Sequence, residues 1–220
     1  VVDNIDGVAS AFDACSSEAQ AAFGSGSIFV EEFVAKARHI EVQILCDGKG
    51  GAVHLFERDC SVQQRNQKLV EVSPAQGIHP DLRLKLTNDA VRLAKACAYL
   101  NAGTVEFLVS GDLSDPQAVY TFLEVNPRIQ VEHTITEEVT GVDVVQSQLQ
   151  IAAGSTLDEL GLAQDSIRLR GCSMQLRVSL APGIAHGNGM VTAYSEPAGV
   201  GIRVDSSCYS GFCPPTIFDP

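Results

Sequence analysis

The sequence predicts an α+β fold in which an antiparallel sheet is flanked by helices, and three observations carry that prediction. Residues 39–47 alternate, with Ile40, Val42, Ile44 and Cys46 on one face and His39, Glu41 and Gln43 on the other. The turn Asp47-Gly-Lys-Gly-Gly51 then leads back into residues 53–56, as a hairpin requires. A second hairpin reads from residues 103–109 and 119–126, joined by Ser110-Gly-Asp-Leu-Ser-Asp-Pro116. Between the hairpins, Leu82, Leu86, Ala90, Leu93, Cys97 and Leu100 form one apolar helical stripe, with Arg83, Arg92 and Lys95 off it.

The remaining elements follow in order. Residues 6–23 read as a helix, with Val8, Phe12, Cys15 and Ala19 at helical spacing and Gly24 as the stop. Residues 27–34 form a short apolar segment interrupted by the acidic pair Glu31-Glu32. Residues 61–71 are polar and mixed in charge, and residues 74–80 read as a loop. Residues 142–153 predict a third helix that ends at Gly154. After Leu162 the texture changes. Met174, Leu176, Val178 and Leu180 alternate, and Gly and Pro become frequent. This places a boundary near residue 170, with a β-rich second unit beyond it.

Composition narrows the function classes. A chain of 220 residues with 45% hydrophobic and 19% charged residues has the makings of a globular core. It contains no run of about eighteen apolar residues, so no membrane helix is expected. The acidic opening Val1-Val-Asp-Asn-Ile-Asp6 does not read as a secretory leader. A net charge of −12 argues against nucleic-acid binding over the whole surface but leaves room for a local basic pocket. Seven cysteines, an odd number with no CxxC pair, suit free and mostly buried thiols in a reducing compartment.

The chemistry concentrates in Glu124-Val-Asn-Pro-Arg-Ile-Gln-Val-Glu-His-Thr-Ile-Thr-Glu137. If the second hairpin centres near residue 115, Glu106 and Glu124 face each other and Asn126 lies on the same face. Like charges in that position repel, so a cation is expected between them. Hard oxygen ligands suit Mg²⁺ or Mn²⁺, with phosphates completing the shell. The alternative is a solvated strand face. Arg128, Gln130 and Glu132 also alternate, so an extended segment would point all three one way. A guanidinium and an amide can then hold a small planar anion, and a neighbouring carboxylate can accept its proton. An edge strand with an internal Arg–Glu pair fits this pattern equally well.

Taken together these residues resemble the ATP-grasp core of biotin carboxylase, as found in pyruvate, acyl-CoA and urea carboxylases. Glu106, Glu124, Asn126 and the run Arg128-Ile-Gln-Val-Glu-His133 carry the likeness, with Glu57-Arg-Asp-Cys-Ser61, Gln63, Gln67 and Lys68. Phe29-Val-Glu-Glu-Phe33, Arg38-His-Ile-Glu-Val-Gln43, and Pro197, Gly199, Gly201, Arg203, Tyr209 and Gly211 agree with it in order. The resemblance implies the C-terminal half of an ATP-grasp fold. Residues 1–33 would be the tail of the ATP lid, 34–170 the catalytic subdomain and 171–220 the start of the C-terminal domain. It implies ATP-dependent carboxylation of biotin from bicarbonate by way of carboxyphosphate. Glu31, Glu32 and Val34 would frame the adenine, and His39, Gln63 and Asn66 would contact the nucleotide. Glu106, Glu124 and Asn126 would hold Mg²⁺ or Mn²⁺. Lys68, Arg128, Gln130 and Val131 would hold bicarbonate, Glu132 would be the base, and Arg203 would face the biotin ureido oxygen.

Three positions depart from the family pattern. Asn66 stands where His is usual, Gln64 where Arg is usual and Glu32 where Lys is common, and each change removes positive charge near the nucleotide. The family's N-terminal domain, two ATP-contacting lysines and Gly-rich phosphate loop would precede position 1. Residues 181–189 read as a shortened stretch, and the third domain would extend beyond Pro220. The isolated chain is therefore expected to have little activity of its own. A pseudo-enzyme with a nucleotide-binding or subunit-association role is the competing expectation. The implied partners are a biotin carrier domain, a carboxyltransferase domain or subunit and a second copy of the chain, in the cytoplasm or the mitochondrial matrix.

Overall fold

The computed structural model describes residues 1–178 and 190–213. Its centre is a six-stranded antiparallel sheet in the order β5-β4-β1-β2-β3-β6. The strands are β1 (Arg38–Cys46), β2 (Ala52–Gln64), β3 (Gln67–Ser73), β4 (Asn101–Ser110), β5 (Val119–Asn126) and β6 (Ser173–Leu176). The helices are α1 (Val8–Phe23), α2 (Pro80–Ala96), α3 (His133–Thr140) and α4 (Val144–Ala152).

Both faces of β1 are buried, which the alternation alone does not predict. Ile40, Val42 and Ile44 pack with Leu82, Leu86 and Ala90 of α2 and with Val105 and Phe107 of β4. Leu45 on the opposite face joins Val53, Leu55, Val144, Ile151, Leu157 and Ile167. The polar residues Glu41 and Gln43 share that second face and are 0% exposed, so they need partners inside the protein. Helix α2 begins as its sequence dictates, with Pro80 in the first turn and the His79 ring accepting the Asp81 N–H. It stops at Ala96, so Cys97 and Leu100 of the expected stripe fall beyond its end and are exposed.

A bulge in β2 aims the site. Between the pairs Ile44↔His54 and Val42↔Glu57 the strand carries one extra residue, and Phe56 takes a φ of 63° there. Val53 and Leu55 face α4. The extra residue flips the alternation, so Glu57 turns toward Arg83 of α2 and Arg58 turns toward Glu41.

Several expectations need correction. Residues 61–71 are the end of β2 and most of β3, joined by a two-residue turn in which Arg65 and Asn66 both have positive φ, 52° and 64°. Residues 128–132 are not extended; they form a turn that leads into α3, with Glu132 as its N-cap. Residues 27–34 pair with no strand among the described residues, and Phe29 and Phe33 are 80% and 66% exposed. Helix α1 forms as predicted but buries none of its residues. Strand β6, beyond the expected boundary, pairs with β3 and so extends the central sheet. Residues 190–213 contain no helix or strand, and Leu180, the stretch 181–189 and Phe218-Asp-Pro220 lie outside the described residues.

Candidate active site

Lys68 is the hub. Its Nζ donates to Glu41 Oε2 at 2.5 Å, Glu106 Oε1 at 2.8 Å and Glu132 Oε1 at 2.8 Å. These carboxylates come from β1, β4 and the start of α3, so one ammonium ties together three parts of the fold. Burial acts to lower the Lys68 pKa, but the charges of Glu41, Glu132 and Glu106 outweigh it and hold the group above its usual range.

Arg58 lies beneath. It is 0% exposed and donates from Nε to Glu41 Oε1 at 2.5 Å, from Nη1 to Gln43 Oε1 and Thr136 Oγ1, both at 2.9 Å, and from Nη2 to Thr104 Oγ1 at 3.3 Å. A guanidinium with partners on all three nitrogens can be buried, and it fixes α3 against the sheet. Glu132, at the helix start, is 1% exposed. Its Oε2 accepts from Arg177 Nη2 at 2.8 Å. Burial pushes the Glu132 pKa up, yet Arg58 and Lys68 pull it below its ordinary value.

The carboxylate pair stands as the hairpin argument places it. Glu106 and Glu124 are register partners, and Thr104 pairs with Asn126. Asn126 Nδ2 donates to Glu106 Oε1 at 2.7 Å and to Glu124 Oε1 at 3.4 Å. His39 Nε2 donates to Glu106 Oε2 at 2.6 Å, and Gln63 Nε2 donates to His39 Nδ1 at 2.7 Å. Burial would raise the Glu106 pKa, but His39 and Lys68 bring it far below the normal range. Gln130 Nε2 donates to Glu106 Oε1 at 3.2 Å, whereas its buried Oε1 has no partner among the described residues. The carboxylates of Glu106 and Glu124 are hard oxygen donors of the kind that suits a divalent cation, while Asn126 turns its amide nitrogen to both and would have to rotate to offer its oxygen. The free Gln130 oxygen adds an acceptor beside it.

Every candidate residue lines one cleft, but not all of them converge. Arg128 is exposed and, among the described residues, its side chain donates only to the neighbouring Ile129 carbonyl, at 3.2 Å. Val131 is 62% exposed. Glu31 and Glu32 are exposed and Val34 half-buried on the unpaired segment, and Asn66 sits at the β2–β3 turn. Arg203 does not reach Glu132. Its Nη1 donates to Glu137 Oε2 at 2.7 Å and Glu138 Oε1 at 3.4 Å, on the outer part of α3. The guanidinium on Glu132 belongs to Arg177, which the sequence reading passed over, as it did Glu41, Arg58 and Glu71. Glu41 was visible as an acid in the polar row of β1; nothing local marks Arg177.

Comparison with known proteins agrees with this geometry. Residues 1–160 match the model of the carbamoyl-phosphate synthase L chain ATP-binding domain. The chain is 51% identical over 208 residues to pyruvate carboxylase of Aspergillus terreus, covering 93% of this chain and 17% of that protein. The biotin carboxylase of Campylobacter jejuni, solved as a β,γ-ATP complex, superposes with a TM-score of 0.86 at 38% identity, covering 98% of this chain and 47% of that one. The biotin carboxylase domain dimer of Hydrogenobacter thermophilus 2-oxoglutarate carboxylase, with MgADP and bicarbonate, gives 0.86 at 37% identity, over 98% of this chain and 47% of that one. The chain belongs to the family of carbamoyl-phosphate synthase L chain ATP-binding domains. Within it, the chain corresponds to part of a biotin carboxylase of a biotin-dependent carboxylase, and it spans less than half the length of these relatives.

Proposed function

We propose that the chain supplies the catalytic face for ATP-dependent carboxylation of biotin, with bicarbonate as the carbon source and carboxyphosphate as the activated form. The observation that carries this reading is Lys68 clamped among Glu41, Glu106 and Glu132 with Arg177 on the far oxygen of Glu132. Glu106, Glu124 and Asn126 would hold Mg²⁺ or Mn²⁺, which would supply neutralisation of phosphate charge. His39, Gln63, Asn66, Glu31, Glu32 and Val34 lie along the same cleft and take the nucleotide side.

Gln130 offers an N–H donor to a bicarbonate oxygen, and Lys68, whose three N–H groups all go to carboxylates, reaches that oxygen by releasing one of them, with Arg128 and Val131 at the cleft wall. Glu132 is the proton acceptor. Arg58 and Lys68 hold it ionised and make it a weak base at rest. When Lys68 turns onto a bound anion, Glu132 loses part of that stabilisation and its proton affinity rises. Arg177 replaces Arg203 as the fixed cation for the negative oxygen of the carboxyl acceptor, because it alone of the two touches Glu132.

A biotin carrier domain and a carboxyltransferase are the partners of such a reaction. The Hydrogenobacter relative is described as a dimer, which supports pairing with a second copy. No described helix is long and apolar enough to cross a membrane. Only Cys46 and Cys60 are buried, against the expectation of mostly buried thiols, and exposed unpaired thiols suit the reducing cytoplasm or mitochondrial matrix. The test is ADP release by the full-length protein with Mg²⁺, bicarbonate and free biotin, each omitted in turn, beside Glu132→Gln. Turnover that needs all three and disappears in the variant supports the reading. Nucleotide binding without turnover would transfer the case to a pseudo-enzyme.

A further inference from the structure

Glu71 lies in β3, is 0% exposed and does not line the cleft. Burying a carboxylate away from water costs free energy unless it is paired. Burial pushes its pKa up, against the pull of Arg177. Its Oε1 accepts from Arg177 Nε at 2.6 Å, and its Oε2 makes no hydrogen bond among the described residues. Arg177 therefore joins two carboxylates from separate elements, Glu71 through Nε and Glu132 through Nη2. Its Nη1 makes no hydrogen bond among the described residues, and its side chain is 30% exposed on the cleft.

The backbone is held as well. Arg177 N donates to Leu69 O at 3.0 Å. Two residues earlier, Gln175 is the register partner of Glu71, and its Oε1 accepts from Thr134 Oγ1 at 2.6 Å. That contact ties β6 to α3, two residues from Glu132. The main chain and Glu132 thus fix where the guanidinium lies, but a planar fork held by a single carboxylate can still rotate about that contact. A second carboxylate on Nε fixes its plane.

We propose that Glu71 is a positioning residue that acts through Arg177. By holding Nε it sets the guanidinium plane, so that Nη2 stays on Glu132 and Nη1 remains available for the negatively charged oxygen of the carboxyl acceptor, the cyclic urea oxygen of biotin. The identity of that acceptor rests on the biotin carboxylation reading; the positioning itself rests only on the contacts.

The experiment uses the full-length protein and three variants, Glu71→Gln, Glu71→Asp and Arg177→Lys. In a crystal structure of Glu71→Gln, Arg177 is expected to leave Glu132. The kcat for free biotin is expected to fall by about 10²-fold, the scale of a misplaced catalytic group, with the KM for ATP unchanged. Glu71→Asp keeps the charge and restores part of the rate, and it carries the same readouts if Glu71→Gln does not fold. In the Arg177→Lys background, Glu71→Gln adds no further loss. Arg177 unmoved in the Glu71→Gln crystal, or losses that multiply in the double variant, overturns the proposal. A wild-type protein with no bicarbonate-dependent ADP release sinks the reaction assigned to the site, and the crystal structures then still decide the role of Glu71.

Discussion

Arg58 Nε and Glu41 Oε1 meet at 2.5 Å with both side chains at 0% exposure, and Glu41 gives its other oxygen to Lys68. The innermost charge of the cluster is thus shared between a structural cation and a cation of the cleft.

Removing Arg58 therefore damages the fold before it damages the chemistry. Arg58→Met leaves Glu41 buried with half of its neutralisation and orphans Gln43 and Thr136. The expected loss is about 3–5 kcal/mol, the range for breaking one half of a buried pair. Urea unfolding measures it, and Glu41→Gln added to Arg58→Met is expected to recover part. A loss no larger than that of a surface pair would refute the structural role.

Glu124 predicts a metal effect with little structural consequence, since it is exposed and its one side-chain hydrogen bond among the described residues is from Asn126 at 3.4 Å. Glu124→Gln is expected to weaken Mn²⁺ binding by about tenfold or more without changing the melting temperature; even groups that only support a ligand are worth about 10–100-fold. Mn²⁺ titration followed by electron paramagnetic resonance reads this directly. Unchanged affinity would remove Glu124 from the metal site.

His54 predicts an acid-sensitive fold. Burial lowers its pKa from 6.5 to about 4, and its Nδ1 accepts the Phe56 N–H at 3.2 Å, which requires an unprotonated nitrogen. The unfolded chain binds this proton below pH 6.5, and the folded chain does so only near pH 4. Stability contributed by neutral His54 is therefore present above pH 6.5 and is lost as pH falls toward about 4. The ceiling is about 3 kcal/mol, from about 1.4 kcal/mol for each unit. His54→Asn keeps an acceptor and removes the titration, so unfolding free energies between pH 7 and 4 should be flatter in the variant. Parallel curves would count against it.

The two arginines give the sharpest contrast. Arg203 sits on the surface with Glu137, Glu138 and Asp205 at 38% side-chain exposure. Arg203→Ala is expected to change stability by no more than about 1 kcal/mol and to leave most of the turnover. Arg177→Ala removes the cation on Glu132, and a loss of about 10²–10³ in kcat follows if it stabilises developing charge. Biotin-dependent ADP release with both variants decides the assignment, and the reverse ranking would restore Arg203.

The parts of this molecule that were legible in the sequence are those where one period dominates. The Leu82, Leu86 and Ala90 stripe and the Glu106–Glu124 register came through because a helix with one buried stripe, and a hairpin whose loop centre can be placed, leave little freedom. The β2–β3 hairpin did not, because Gln63, Gln64, Arg65, Asn66, Gln67 and Lys68 are polar on both faces where the strands wrap the site. The 128–132 segment misled for the opposite reason: three polar residues in alternation fit a turn as well as a strand. The site itself was half legible. Glu132 and Lys68 stand in dense polar runs and Glu106 is placed by the hairpin register, whereas Arg177 looks like the tail of an ordinary alternating strand. Only the pairing of β3 with β6 brings it to Glu132.

That pairing also sets how often the cluster is whole. Strand β6 is four residues long at the sheet edge, with Met174 and Leu176 62% and 64% exposed, so little apolar burial anchors it. Short edge elements of this kind open at far lower free energy than the core strands. Each opening carries Arg177 away from Glu132 while Lys68 and Arg58 stay in place. Amide hydrogen exchange at residues 173–177 therefore counts the fraction of time in which the site has all of its charges, and a single strand's fraying becomes the clock of the charge cluster.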